Sequence, residues 1–143
     1  MFTIEELEKI FKQKKQRIEK TVSKKGVVRE RLIAGFQNTK LGEFEEWYKK
    51  SDYDKGCYYC KTLASKSEEL YKKAIQEGSY NWTRGGKRGK RLELDRKDPS
   101  KIYDNLNNLV WCCYWCNNAK SNFFTADEFK PIAFAIGEAL KKV

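Results

Sequence analysis

The chain has 143 residues, room for one domain with a modest core, and its 30 Lys and Arg against 20 Asp and Glu leave a formal net charge of +10. An excess of that size points to a polyanionic partner, nucleic acid before an anionic membrane surface. No stretch approaches the roughly 20 apolar residues of a bilayer span, so no membrane partner of that kind is expected, and the opening MFTIEELEKIF lacks the apolar run of a secretory leader. The expected location is the cytoplasm, where cysteines stay reduced and a cysteine cluster reads as a metal site rather than a disulfide frame.

In chain order, a helix is expected from Thr3 to Val22. Thr3 and Glu6 form a capping-box pattern, and Ile4, Leu7, Ile10, Phe11 and Ile18 share one face. Its other face carries Lys9, Lys12, Lys14, Lys15, Arg17 and Lys20, either a solvated face or one that meets phosphates. Ser23 to Gly26 reads as a turn and Val27 to Phe36 as a second short helix, so residues 1–40 form an expected basic helical segment. Residues 41–143 would be the functional domain. Glu43 to Lys50 and Ser65 to Gln76 are helical, the second with a Ser65/Glu68 capping box and a stop at Gly78.

The stretch TRGGKRGKR follows, Thr83 to Arg91, with five basic residues and three glycines. Glycine allows close backbone approach and the basic side chains neutralise phosphate, so Arg84, Lys87, Arg88, Lys90 and Arg91 are candidate nucleic-acid contacts. Tyr80 and Trp82 just before it could stack on bases or pack inward. Leu92 to Asp95 alternates apolar and acidic like a half-buried strand. Asn108 to Cys113 is its partner across a long hairpin loop. A helix follows from about Trp115, and the last starts near Thr125 with Glu128 as its capping partner and Pro131 inside it.

Cys57-Tyr58-Tyr59-Cys60 and Cys113-Tyr114-Trp115-Cys116 are two C-x-x-C pairs. Each can place two thiolates on one tetrahedral zinc, and together they fill its four positions. Such a closed site leaves no place for a reactive water, so the zinc would be structural and staple the segment before the hairpin to the segment after it. A thioredoxin-like redox pair would need a βαβ pattern, which is missing. Cys112 points away from Cys113 on a strand and reads as a buried thiol.

The order C-x-x-C, L-x-D, a loop, then N-L-V-x-x-C-x-x-C-N-x-x-K-S resembles the HNH nuclease family over about residues 55 to 130. That resemblance implies an α+β fold: a ββα-metal core stapled by the four-cysteine zinc and surrounded by helices. It implies a metal-dependent endonuclease that hydrolyses double-stranded DNA in a restriction-like, sequence-specific way, in a bacterial or phage-infected cell. It places Asp95 and Asn117 as ligands of a catalytic Mg²⁺, which Mn²⁺ could replace, Asn108 as the brace of the hairpin loop, and Lys120 with Ser121 at a phosphate. A carboxylate and an amide oxygen are hard donors that suit Mg²⁺. A symmetric double-strand cutter would be a homodimer.

One position departs from the family. Its usual histidine base is replaced by Arg96, and the chain has no histidine at all. Arginine stays protonated and cannot act as a base, but it can clamp a phosphate. The D-R pair and the W-Y pair upstream of the first C-x-x-C are similar to a rare-cutting restriction member of the family that also lacks this histidine. That resemblance implies Tyr48 as the group that attacks or orients water. Other readings on the same core are a catalytically inactive zinc-containing DNA-binding module and a nuclease for RNA or single strands.

Overall fold

A computed structural model describes residues 1–77 and 87–143. The architecture is α+β. It comprises α1 (Ile4–Gln13), β1 (Arg17–Val22), β2 (Val28–Ile33), α2 (Leu41–Lys50), α3 (Ala64–Gln76), β3 (Glu93–Arg96), β4 (Leu109–Cys112), α4 (Tyr114–Lys120) and α5 (Ala126–Lys141). The strands form two separate antiparallel hairpins, β1–β2 and β3–β4.

The capping box of α1 is present: the Thr3 hydroxyl accepts from the Glu6 amide, and the Glu6 carboxylate accepts from the Thr3 amide. The expected helix to Val22 is not. α1 stops at Gln13, and residues 17–22 and 28–33 pair as strands in place of the expected second helix. Ile18, Thr21, Val22, Val28 and Ile33 are β-branched and lose rotamer freedom in a helix. Strand pairing sets Ile18 opposite Leu32, Val22 opposite Val28, Glu19 opposite Arg31 and Lys20 opposite Glu30. Apolar and opposite-charge cross-strand pairs stabilise that register. The N-terminal basic segment is therefore one helix and a hairpin.

The second hairpin follows the expected strands closely, with Glu93 paired to Cys112, Leu94 to Trp111, Asp95 to Val110 and Arg96 to Leu109. Directly opposed residues share a face, so Leu94 and Trp111 point one way while Glu93, Asp95, Val110 and Cys112 point the other. The first face carries the aromatic core. Trp47 and Tyr48 of α2, Phe2 and Tyr53 all pack on Trp111. Phe11, Phe36 and Phe44 continue this core toward α1. On the second face α4 packs against β3.

α3 starts one residue before the expected cap, with Leu63 at its N-cap and no side-chain cap bond, so Ser65 lies inside the helix and the Ser65/Glu68 box does not form. The expected stop at Gly78 lies outside the described residues. α5 opens with the expected Thr125/Glu128 box and runs unbroken through Pro131. Gly137 on α5 allows the helix to pass the cysteine loop closely, since a Cβ there would sit 3.1 Å from the Cys60 carbonyl oxygen.

Candidate active site and zinc centre

The four paired cysteines converge. The Sγ atoms of Cys57, Cys60, Cys113 and Cys116 all lie within 4.8 Å of one another, and the Cys60 and Cys113 sulfurs are 3.6 Å apart. Tetrahedral zinc with bonds of about 2.3 Å spaces its sulfurs by about 3.8 Å, so the cluster has the dimensions of a zinc site. The first loop folds as a tight turn: the Cys57 amide donates to the Thr62 carbonyl and the Lys61 amide to the Cys57 carbonyl. Gly56 and Lys61 take positive φ there, and a Cβ at Gly56 would lie 2.7 Å from the Thr62 oxygen. The second pair is held by the start of α4, where the Cys113 sulfur is the N-cap acceptor of the Cys116 amide.

The four sulfurs act on one another's protons. Cys57 and Cys60 are held below the ordinary thiol value by hydrogen bonds from Cys113 and then Cys116. Cys116 is pushed up by its contact with Cys113 and then with Cys57 and Cys60. Four thiolates cannot share so small a space without a cation, which is the condition a bound zinc satisfies. Cys112 stands apart as expected: fully buried, with its pKa raised by burial first and the nearby Asp95 charge second.

On the α4 face of β3 the structure builds a row of paired charges. Glu93 and Asp95, two residues apart on the strand, meet Asn117 and Lys120, three apart on the helix. The Asn117 amide nitrogen donates to Glu93 Oε1 at 2.9 Å. Lys120 Nζ lies 3.1 Å from Asp95 Oδ2 with no exposed side-chain surface, and it also donates to the Arg96 carbonyl at 2.7 Å. Lys120, expected at a phosphate, is instead a buried brace between α4 and β3. The reason is its place on the inward face of a short helix, where its stem is covered and its tip meets the carboxylate.

Asp95 has a second partner that the sequence did not indicate. Tyr59 donates its hydroxyl to Asp95 Oδ2 at 2.5 Å. Burial first, and then the Asp95 charge, push the Tyr59 phenol well above its ordinary value, so it keeps its proton and acts as a donor. Tyr48 is elsewhere. Its hydroxyl accepts from the Phe2 amide at 2.9 Å, and its ring packs on Trp111, on the hairpin face opposite Asp95. The tyrosine at the carboxylate is therefore Tyr59, inside the first C-x-x-C, and not Tyr48.

Arg96 lies at the end of β3. Its guanidinium sits 4.7 Å over the Tyr103 ring and donates to the Lys101 carbonyl at 3.0 Å. Asn108 closes the hairpin loop: its amide oxygen accepts from the Asp98 amide, and its amide nitrogen donates to the Asp98 carbonyl. The basic loop divides. Arg88 grips Glu93 with both Nε and Nη2 and stacks on Tyr114, and Arg91 donates to the Leu92 carbonyl beside Phe2. These two arginines are committed to the fold, whereas Lys87 and Lys90 are exposed. Arg84, Tyr80 and Trp82 lie outside the described residues.

Two members of this site, Glu93 and Tyr59, escaped the sequence reading. Glu93 had a signal, since acidic residues two apart in LELD must share a strand face. Tyr59 had none, because its link to Asp95 spans 36 positions and depends on where the four-cysteine cluster sets the first cysteine loop. Among the described residues no helix is long and apolar enough to cross a membrane.

No protein-family model and no curated protein matches the chain. Among solved structures it is similar to PacI, a rare-cutting HNH restriction endonuclease described for its perturbation of DNA. The TM-score is 0.54 at 26% identity, over 73% of this chain and 66% of that one. The chain thus spans just under two thirds of that protein's length. The likeness, the α+β architecture and the four-cysteine cluster agree with the HNH-like expectation for the fold.

Proposed function

We propose that this protein is a divalent-metal-dependent endonuclease that hydrolyses phosphodiester bonds in double-stranded DNA, with zinc in its four-cysteine centre. The observation that carries the reading is the seating of Asp95 on β3 against α4, which bears Asn117, on a hairpin stapled by four cysteines. Asp95 and Asn117 would hold Mg²⁺, or Mn²⁺ in its place, with Glu93 as a further hard donor beside them. When bound, the ion would supply charge stabilisation at the scissile phosphate. The chain's own groups do the rest. Tyr59 fixes the orientation of the Asp95 carboxylate through its hydroxyl. Arg96, next to Asp95 at the end of β3, would clamp a phosphate oxygen. Sequence-specific cutting of the restriction type, by a homodimer that sets one core on each strand, goes with this reading.

A second reading has one observation in its favour. Lys120 already neutralises Asp95 within the fold, as a DNA-binding module that had lost its chemistry would require. Cleavage decides between the two. The protein is incubated with Mg²⁺ and a pooled random-sequence duplex library, and all new ends are sequenced. Asp95→Asn, which preserves the shape of the side chain, serves as the control. Ends that depend on Mg²⁺ and fall about 100-fold or more in the variant support the nuclease. Salt-sensitive binding without ends, with single strands and RNA also intact, supports the binding module.

A further inference from the structure

The β1–β2 hairpin serves neither the core nor the site described above. We propose that it is a ribbon that enters a groove of duplex DNA, resting on the DNA-directed reading of the molecule. Eleven of its twelve strand residues are exposed, and Ile33 is half-buried. An isolated two-stranded ribbon is at best marginally stable in water, yet this one has an anchored base. Gln16 donates to the Phe36 carbonyl and Phe36 to the Lys14 carbonyl, and Phe36 is buried between Phe11 and Phe44. The amides of Gln37, Asn38 and Thr39 then converge on the Asp104 carboxylate. The ribbon is thus held at its foot and bare along its length.

Its chemistry points to a polyanion. Residues 17–33 contain Arg17, Lys20, Lys24, Lys25, Arg29 and Arg31 against Glu19 and Glu30. Both glutamates are already paired, to Arg31 and Lys20. Among the described residues Lys24, Lys25 and Arg29 make no ion pair. Strand alternation puts Arg17, Thr21, Arg29 and Arg31 on one face, together with Ile33 and with Glu19 paired to Arg31, and the turn presents Lys24 and Lys25 at the tip. The major groove of B-DNA, about 12 Å wide, admits a two-stranded ribbon of this kind, with arginines toward guanine edges and tip lysines on phosphates.

The other face bears Ile18, Leu32, Val22 and Val28, 59–69% exposed. It is too small for a second copy of the chain, since four side chains divided by the Lys20–Glu30 pair fall far short of the roughly 800 Å² per partner of a stable interface. The ribbon's foot is also linked to Arg96. Tyr103 packs on Phe36 at the ribbon's foot and carries the Arg96 guanidinium on its ring.

The test compares the full-length zinc-loaded protein with the variant Lys24→Ala/Lys25→Ala/Arg29→Ala. Affinity for a fluorescent mixed-sequence duplex is measured over a range of salt, without Mg²⁺. The variant should bind at least about tenfold more weakly. Its slope of log K against log salt should be shallower by about 2, the loss of the two phosphate-directed tip lysines. Its zinc content and melting temperature should be unchanged. Equal affinity and slope, or no duplex binding by the parent protein, overturn the ribbon. So does a dimer in sedimentation that Ile18→Ser/Leu32→Ser dissolves while DNA binding persists. Because binding is read without cleavage, the two proposals fail separately: binding lost in the variant but no cutting by the parent sinks only the nuclease, and cutting with variant binding intact sinks only the ribbon.

Discussion

The chain contains two antiparallel hairpins, and the longer is the less protected. β1–β2 aligns six residue pairs and exposes nearly all of them. β3–β4 aligns four and buries both faces, one under aromatic residues and the other under α4. Ladder length is therefore a poor guide to stability here. What holds β3–β4 is side-chain burial, a four-cysteine staple at its end, and charged groups satisfied one by one. What holds β1–β2 is its foot and its cross-strand pairs, each worth only about 0.2–1 kcal/mol. A surface left bare on a protein with a +10 charge is available for binding, whereas the buried hairpin is fixed in position as a site requires.

The largest expected effect strikes the staple. Removing zinc with a chelator, or replacing Cys113 with Ser, should unfold the β3–β4–α4 unit, since structural zinc contributes on the order of 10 kcal/mol of apparent free energy. Near-UV circular dichroism and metal analysis check this. A melting temperature unchanged after complete zinc loss would place the stability of β3–β4 in its aromatic face alone. The next effect is at the charge row. Lys120→Met leaves the Asp95 carboxylate with Tyr59 but no cation, and should cost about 3–5 kcal/mol in denaturant unfolding. A cost below about 1 kcal/mol would mean that water reaches Asp95 and that the buried pair is not what seats α4.

The smallest effect is at the ribbon's foot. Burial pushes the Asp104 carboxyl up, but the Thr39 hydroxyl and the amides of Thr39, Asn38 and Gln37 outweigh it and hold the value below the ordinary 3.8. A lowered folded value means that this stabilisation is complete above about pH 4 and is lost as pH falls through the folded value. Asp104→Asn should cost about 1 kcal/mol at neutral pH, kept small by solvent. It should also flatten the acid limb of the stability curve below about pH 4. An unchanged acid limb would show that the ribbon's foot is held by Phe36 and not by this carboxylate.

Much of the core was legible because its signals are local or periodic. The C-x-x-C pairs, the alternation of LELD and the Thr125/Glu128 box each specify their own structure within a few residues. The N-terminal segment misled because residues 4–11 are truly helical and the lysine-rich continuation has a compatible pattern. Whether 17–22 continued the helix depended on pairing with residues 6 to 16 positions further along the chain, which helical periodicity cannot register. Tyr48 and Tyr59 show the same limit at the site. Both are tyrosines near the first C-x-x-C, and only the side of β3–β4 on which each falls separates the one packed on Trp111 from the one bonded to Asp95.

By itself, then, the sequence determined the four-cysteine cluster, the buried hairpin with its acidic strand, the capped helices at both ends and the basic excess, because each rests on residue type and short spacing. Tertiary structure alone decided which tyrosine meets Asp95, that Lys120 and Arg88 are braces rather than surface cations, and that a basic ribbon stands clear of the core. Those outcomes depend on which faces meet when distant segments pack, and the free energy of burying or exposing a charged group is set by that meeting and not by its neighbours in the chain.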